Sequence, residues 1–280
     1  MYVLCSPCIL NPALRAEGIT HPADLVLYGR AQDRCREFGI EMVPLPCPET
    51  VYLGPHRKPG TFLERLNTPE FSRILEDLKE TVRGIVRERG APLCIIGVNS
   101  SPTCGVTTTY YGAEEGKPPK REGRGVFLAE FPDTPALDVG QFAQYRVYLA
   151  APLFSDAERA YNARIAKTLE RHCFHVHLPQ EIGDSVASRD TGEHRRIFRE
   201  NLEELKSSDV VVAIVDGADA DSGTAWEMGY AYALGKRIVA LRTDFRRVGE
   251  SEMVNLMLEM SSEVVTGPDA LLRALNAAPS

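Results

Sequence analysis

The stretch 216–236, DGADADSGTAWEMGYAYALGK, decides how this chain is read. It follows an unbroken apolar run, Val210 to Val215, and passes through an acidic, glycine-broken loop into a helical pattern that carries one carboxylate, Glu227. Apolar run, short loop and helix make a β–α unit, and loops at the carboxyl edge of a parallel sheet are where such units bind ligands. The N–H groups and positive dipole end of the helix favour an ionised carboxylate near its start. Glu227 therefore reads as a nucleophile and not as a structural salt-bridge partner.

Working outward from this unit, strands are expected at 146–150, 175–178, 209–215, 237–242 and 263–265, with helices at 156–171, 193–207, 224–234 and 268–275. Strict alternation with short connections predicts a parallel, doubly wound sheet of the Rossmann or flavodoxin-like kind. Upstream, apolar runs at 2–5, 40–45 and 93–98 alternate with helical patterns at 25–38 and 71–89, a second α/β layer. The segment 112–124, GAEEGKPPKREGR, is too charged and too rich in proline and glycine for a core element and reads as a surface loop or flap. The fold class is α/β, with two doubly wound parallel-sheet domains at 1–140 and 145–280. About one domain per 150 residues gives the same number.

Hydrophobic residues make up 44% of the 280, enough for a core in each half, and the formal charge is -7. Binding a polymeric nucleic acid needs a basic face, so small molecules are the expected ligands. The opening MYVLCSPCIL has no basic, long-apolar leader pattern, and no stretch is apolar for the 18 or so residues a membrane helix needs. Seven cysteines without a regular framework fit a reducing compartment with free thiols. A cytoplasmic location without membrane contact is the expectation.

Three segments besides Glu227 fall where strand ends converge. They are YLAAPLF (148–154), with Tyr148, Ala150 and Phe154; LPQE (178–181), with Gln180 and Glu181; and DGADADSG (216–223), with Asp216, Asp221 and Gly223. Together they offer a phenol, an aromatic face, an amide and carboxylates, a set that suits a stacked base and a gripped sugar. The aspartates equally suit a helix N-cap. In order and spacing, YLAAPLF, NLEELKSSDVVVAIVDG (201–217) and DSGTAWEMGYAYALGK (221–236) resemble the nucleoside 2-deoxyribosyltransferases over about 146–275.

That resemblance implies that Glu227 attacks C1′ of the sugar, forming a covalent glycosyl intermediate that a second base or water resolves with retention. It also implies that Tyr148 orients Glu227, Phe154 stacks on the base, and Asp221 contacts the sugar, with Asp216 a further contact. Gln180 and Glu181 are candidates for reading the base edge, and no cofactor is needed. Where the family often has a proton-donating aspartate near the base, this chain has Asn201, and an amide is no general acid. Either Glu181 or another carboxylate supplies the proton, or the base leaves through hydrogen bonding alone, or Asn201 marks a changed substrate. The family further implies nucleosides or nucleobases as partners and a homo-oligomer. The other outcomes are a nucleoside or nucleotide N-glycoside hydrolase of a modified base, or a non-catalytic nucleotide-sensing module.

In the first half, Cys8, Cys47 and Cys104 lie just past the three predicted strands, in SPCIL (6–10), PCPE (46–49) and SPTCG (101–105). Strand ends on one edge of a parallel sheet can converge, and three thiolates suit iron–sulfur or zinc with one position left open. Structural thiols are the third possibility; Cys35, Cys94 and Cys173 read as small buried hydrophobes. The three segments resemble the DUF523 family, which includes thiouracil desulfurases, over about 1–131. The resemblance implies a [4Fe-4S] cluster on Cys8, Cys47 and Cys104, assisted by Glu49 and Ser101, and desulfuration of thiolated nucleobases. TVYLGPHRKPG (50–60) departs from the family's glycine- and proline-rich turn. His172, His175 and His177 surround a predicted strand without metal-ligand spacing.

Overall fold

In the computed structural model, residues 1–112, 119–182, 191–246, 249 and 252–275 are described. The chain divides into two compact units, at Met1–Ala143 and Gln144–Ala278. Among the described residues no helix is long and apolar enough to cross a membrane.

The first unit contains strands β1 (Tyr2–Cys5), β2 (Glu41–Pro44), β3 (Ile95–Gly97), β4 (Thr108–Tyr110), β5 (Lys120–Glu122) and β6 (Ala136–Asp138). Its helices are α1 (Pro22–Glu37), α2 (Pro48–Leu53), α3 (Phe62–Arg65), α4 (Pro69–Arg89) and α5 (Val139–Phe142). The main sheet has the order β2-β1-β3-β6, all parallel. β1 sits inside it and is buried along its whole length, as an apolar strand covered on both faces must be. Tyr2 and Leu4 point to one face, where they pack with Leu45, Val82, Ile95, Phe127 and Leu128.

Besides the short helices α2, α3 and α5 and the strand β4, two further strands were hidden in the sequence. β6 lies at the edge of the sheet with all three residues half-buried, so it carries no apolar run to announce it. Part of the charged segment 112–124 forms β5, an exposed strand paired antiparallel with β4. Residues 113–118 of that segment lie outside the described residues.

The second unit has β7 (Arg146–Ala150), α6 (Asp156–Arg171), β8 (His175–His177), α7 (Thr191–Ser207), β9 (Val210–Ile214), α8 (Ser222–Ala233), β10 (Arg237–Leu241), α9 (Leu256–Met260), β11 (Glu263–Val265) and α10 (Pro268–Ala274). The sheet order is β11-β10-β9-β7-β8, parallel throughout. Numbered within the unit this is 2-1-3-4-5, the flavodoxin-like order whose reversal between the first and third strands opens a ligand crevice. Tyr148, Ala150, Val211, Ala213, Val215, Ile238 and Ala240 share one face, packed with Leu205 and Met228. This is the period of two that a pleated strand imposes. Asp209 starts β7 from outside it, its Oδ2 accepting from Tyr145 N and Arg146 N at 3.0 and 2.9 Å. α6 begins with a capping box between Ser155 and Glu158.

Candidate functional site

In the second unit the strand–loop–helix stretch places Glu227 on the sixth residue of α8, beside the fully buried Tyr148 of β7. The Tyr148 phenol donates a hydrogen bond to Glu227 Oε1. Burial pushes the Glu227 carboxyl up to about 7, with Asp221 adding to the rise and the Tyr148 hydrogen bond opposing it. The expectation that the helix start would hold Glu227 ionised is thus corrected. The residue lies beyond the first-turn N–H groups, where the dipole fades, and desolvation of the charge dominates. Burial and the neighbouring carboxylate push the Tyr148 phenol far above its usual range, so it remains a donor.

A cavity of about 380 Å³ opens over this pair, lined by Tyr148, Phe198, Asn201, Leu202, Leu205, Gly223, Trp226 and Glu227. Phe198 and Trp226 form an aromatic wall with ring centroids 5.9 Å apart, both about half exposed. The lining of α7 follows from its spacing: positions 198, 201, 202 and 205 fall on one helical face. Asn201 Oδ1 is 3.0 Å from His177 Nε2. The His177 ring stacks on Tyr148 with centroids 5.2 Å apart and planes inclined by 21°. The strand register explains this, since His177 on β8 pairs with Tyr148 on β7.

The other candidate residues are placed as follows. Asp221 is the N-cap of α8, its Oδ2 accepting from Gly223 N and Thr224 N at 2.9 and 3.1 Å. A Cβ at Gly223 would stand 3.0 Å from that oxygen, so a side chain there would press on the cap. Asp216 braces the loop after β10: Oδ1 accepts from Thr243 N and Asp244 N, and Oδ2 from the Thr243 hydroxyl. Gln180 is buried and both ends of its amide are engaged, with Asn162 Nδ2 and with the Arg159 carbonyl. Glu181 is exposed at the end of the same 3-10 turn. Phe154 stands outside the cavity lining, 79% exposed, and Ala150 is fully buried in β7.

Sequence reasoning passed over His177, Phe198 and Trp226. The histidines were weighed only as metal ligands, and the helical spacing from Phe198 to Leu205 was the available signal for that wall.

In the first unit, Cys47 caps α2, its Sγ 3.4 Å from Thr50 N, with Pro48 at the first helical position. Burial pushes the Cys8 thiol up to about 12, and the nearby Cys47 and Glu49 raise it further while Arg15 opposes. Burial likewise raises Cys104, with Cys47 and Cys8 contributing in the same direction. The three thiols are therefore electrostatic neighbours. Glu49 Oε1 accepts from the Ser101 and Thr103 hydroxyls at 3.3 and 2.8 Å, and Arg57 Nε donates to Oε2 at 3.2 Å. Thr103 and the buried Arg57 are additions that the sequence reading did not name.

Among the described residues no group of three or more His, Cys, Asp or Glu is disposed to hold a single metal ion. A cluster spaces its thiolate ligands more widely than one ion does, and an all-thiolate donor set suits iron and sulfide. Tyr28 Oη, buried without a hydrogen-bond partner in a position to feel Cys8, is a spare donor beside such a group. A three-thiolate donor set is chemically suited to iron–sulfur and to zinc alike. Cys5, Cys35, Cys94 and Cys173 are buried, as small hydrophobes are.

Residues 147–266 match the model of the nucleoside 2-deoxyribosyltransferase family. A conserved protein of Enterococcus faecalis V583 of known structure is 30% identical, over 48% of this chain and 98% of that one, with a TM-score of 0.41. A 2-deoxyribosyltransferase of Bacillus psychrosaccharolyticus is 25% identical over 48% and 98%, also with a TM-score of 0.41. An uncharacterised protein of Methanocaldococcus jannaschii is 24% identical over 172 residues, 60% of this chain and 90% of its own.

The electrostatics of the pair are directly measurable. A 13C NMR titration of the Glu227 carboxyl is expected to have its midpoint at about 7, and Tyr148→Phe to move it higher by removing a donor to the ionised form. A midpoint in the ordinary carboxylate range would show that burial does not control the group.

Proposed function

We propose that the second unit breaks and remakes the N-glycosidic bond of (deoxy)nucleosides through a covalent glycosyl-Glu227 intermediate. The observation that carries this reading is the buried carboxylate hydrogen-bonded by Tyr148 at an aromatic-walled cavity. With its group near 7, a substantial share of Glu227 is ionised at neutral pH, and partial desolvation makes that carboxylate a better nucleophile toward an oxocarbenium-like C1′. Tyr148 fixes which oxygen attacks: Oε1 receives the phenol and Oε2 is left for carbon. Phe198 and Trp226 offer flat faces for a base, and Asp221 presents its second oxygen to a sugar hydroxyl. The half-exposed aromatic wall supports a homo-oligomer in which a second copy covers the cavity mouth. Transfer to a free base and hydrolysis share the intermediate and differ only in the acceptor, so the same residues serve a hydrolase of a modified nucleoside or nucleotide.

The first unit is proposed to hold a [4Fe-4S] cluster on Cys8, Cys47 and Cys104 and to desulfurate thiolated nucleobases. A cluster with three protein thiolates supplies an iron with an open position for a sulfur ligand. With Cys8, Cys47 and Cys104 as the residues that would hold the group, the chain's own part is to hold the Glu49 carboxylate through Ser101, Thr103 and Arg57, from which it would guide water. Net conversion of a thiocarbonyl and water to a carbonyl and hydrogen sulfide requires no oxidant.

Glu227→Gln is expected to lower base release from nucleosides by at least about 10³-fold, as loss of a nucleophile does, with the protein still folded. Retained release in the variant would remove the covalent mechanism. Adding free base separates transfer from hydrolysis by the products formed. For the first unit, anaerobically purified protein should contain iron and sulfide that a Cys8→Ala/Cys47→Ala/Cys104→Ala variant lacks. Iron-free wild-type protein after cluster reconstitution would contradict the cluster.

A further inference from the structure

We infer that His177 is a positioning residue that locks the Asn201 amide with its NH2 group toward the base, so that the base departs as a hydrogen-bonded anion. The inference rests on the glycosyl-transfer reading of the second unit. An amide has one acceptor end and one donor end. Asn201 Oδ1 faces His177 Nε2 at 3.0 Å, so a proton on Nε2 occupies the acceptor end and leaves the NH2 group for the cavity that Asn201 lines. Were Nε2 bare, it would accept from the amide instead, the amide would turn over, and a carbonyl would face the base. The proton position on one imidazole thus sets the sign of the group that meets the substrate.

The imidazole is held for this task. Its ring stacks on Tyr148, its strand pairs in register with β7, and its Nδ1 lies 4.0 Å from Glu204 Oε2, with the side chain 16% exposed. Both elements packed on it, β7 and α7, also carry groups of the cavity: Tyr148 on one, Asn201 on the other. Tyr148 therefore touches the nucleophile through its hydroxyl and the base-side device through its ring face.

The chemistry that follows is specific. Among the described residues lining the cavity, the only carboxyl group is Glu227 itself, and the Tyr148 hydroxyl is committed to it. No described lining group has a spare acidic proton for the leaving base. As a Glu227 oxygen bonds to C1′, the C1′–N pair passes to the base. The Asn201 N–H stabilises the charge at an acceptor next to the glycosidic nitrogen, a pyrimidine C2 oxygen or a purine N3. The anion takes its proton from water after release. Such a site favours nucleosides of electron-poor bases, whose anions are stable.

The test is a series of nucleosides with one sugar and bases of graded acidity, run on wild type, His177→Phe, His177→Gln and Asn201→Asp, each checked for an unchanged melting transition. Wild type should slow steeply as the base becomes less acidic, and Asn201→Asp should flatten that dependence by supplying a proton. His177→Phe keeps a ring on Tyr148 but no donor; it should lose about 10²-fold in kcat, the scale of one lost charge-stabilising donor, with KM little changed. His177→Gln, which can still donate to Oδ1, should recover to within about tenfold of wild type. A flat wild-type dependence, or equal kcat in wild type and His177→Phe, overturns the inference. Imidazole 15N NMR supplies a reading that needs no turnover: Nε2 should carry a proton, and a bare Nε2 overturns the inference whether or not base is released. A protein with protonated Nε2 that releases no base from any nucleoside would instead count against the glycosyl-transfer reading.

Discussion

The hydrogen bond from Tyr148 to Glu227 is the constraint around which the second unit is arranged. A carboxylate taken out of water is costly, and the fold meets that cost only in part. One phenol donor favours the ionised form, while burial and Asp221 favour the neutral one. In the proposed mechanism, this balance near neutrality would leave the group charged often enough to attack and poorly enough solvated to be reactive. Supplying the donor from an interior strand of a parallel sheet fixes it more firmly than a loop would, because Tyr148 is fully buried among Leu205, Val211 and Met228.

Both units use one topological rule. Each has its first strand flanked by its second and third, so the chain leaves the sheet in opposite directions on the two sides of a crevice. In the second unit that crevice receives Tyr148 from β7 and α8 with Glu227 from the far side of β9. In the first, the segments following β1, β2 and β3 bring Cys8, Cys47 and Cys104 into mutual electrostatic range. Residues far apart in sequence become neighbours because strand ends on one edge of a parallel sheet have nowhere else to go.

The sequence made the large features legible. The apolar runs around Tyr2, Tyr148 and Val211 mark strands buried on both faces, and their alternation with helices permits one sheet class. β6 and β5 were not legible, because an edge strand of half-buried residues and an exposed charged ribbon carry no periodic apolar signal. At the site, Tyr148 and Glu227 stand out by motif. Asp216 and Gln180 sit in the right segments, yet their polar atoms bind the Thr243–Asp244 backbone and the Asn162 and Arg159 groups, partners that only the folded chain supplies. His177 was hidden for the complementary reason. Its partners Tyr148 and Asn201 lie 29 and 24 residues away, joined to it by strand register and helix packing.

The central claim is that a sugar becomes bonded to Glu227. Intact-mass and peptide mass spectrometry of the protein quenched in acid during exposure to a 2-fluoro-substituted 2-deoxynucleoside, whose slowed second displacement lets the intermediate accumulate, tests this most directly. The account predicts one added glycosyl mass, located on the peptide that contains Glu227 and discharged when a free base is supplied. Base release without any adduct, or an adduct on another residue, would contradict it.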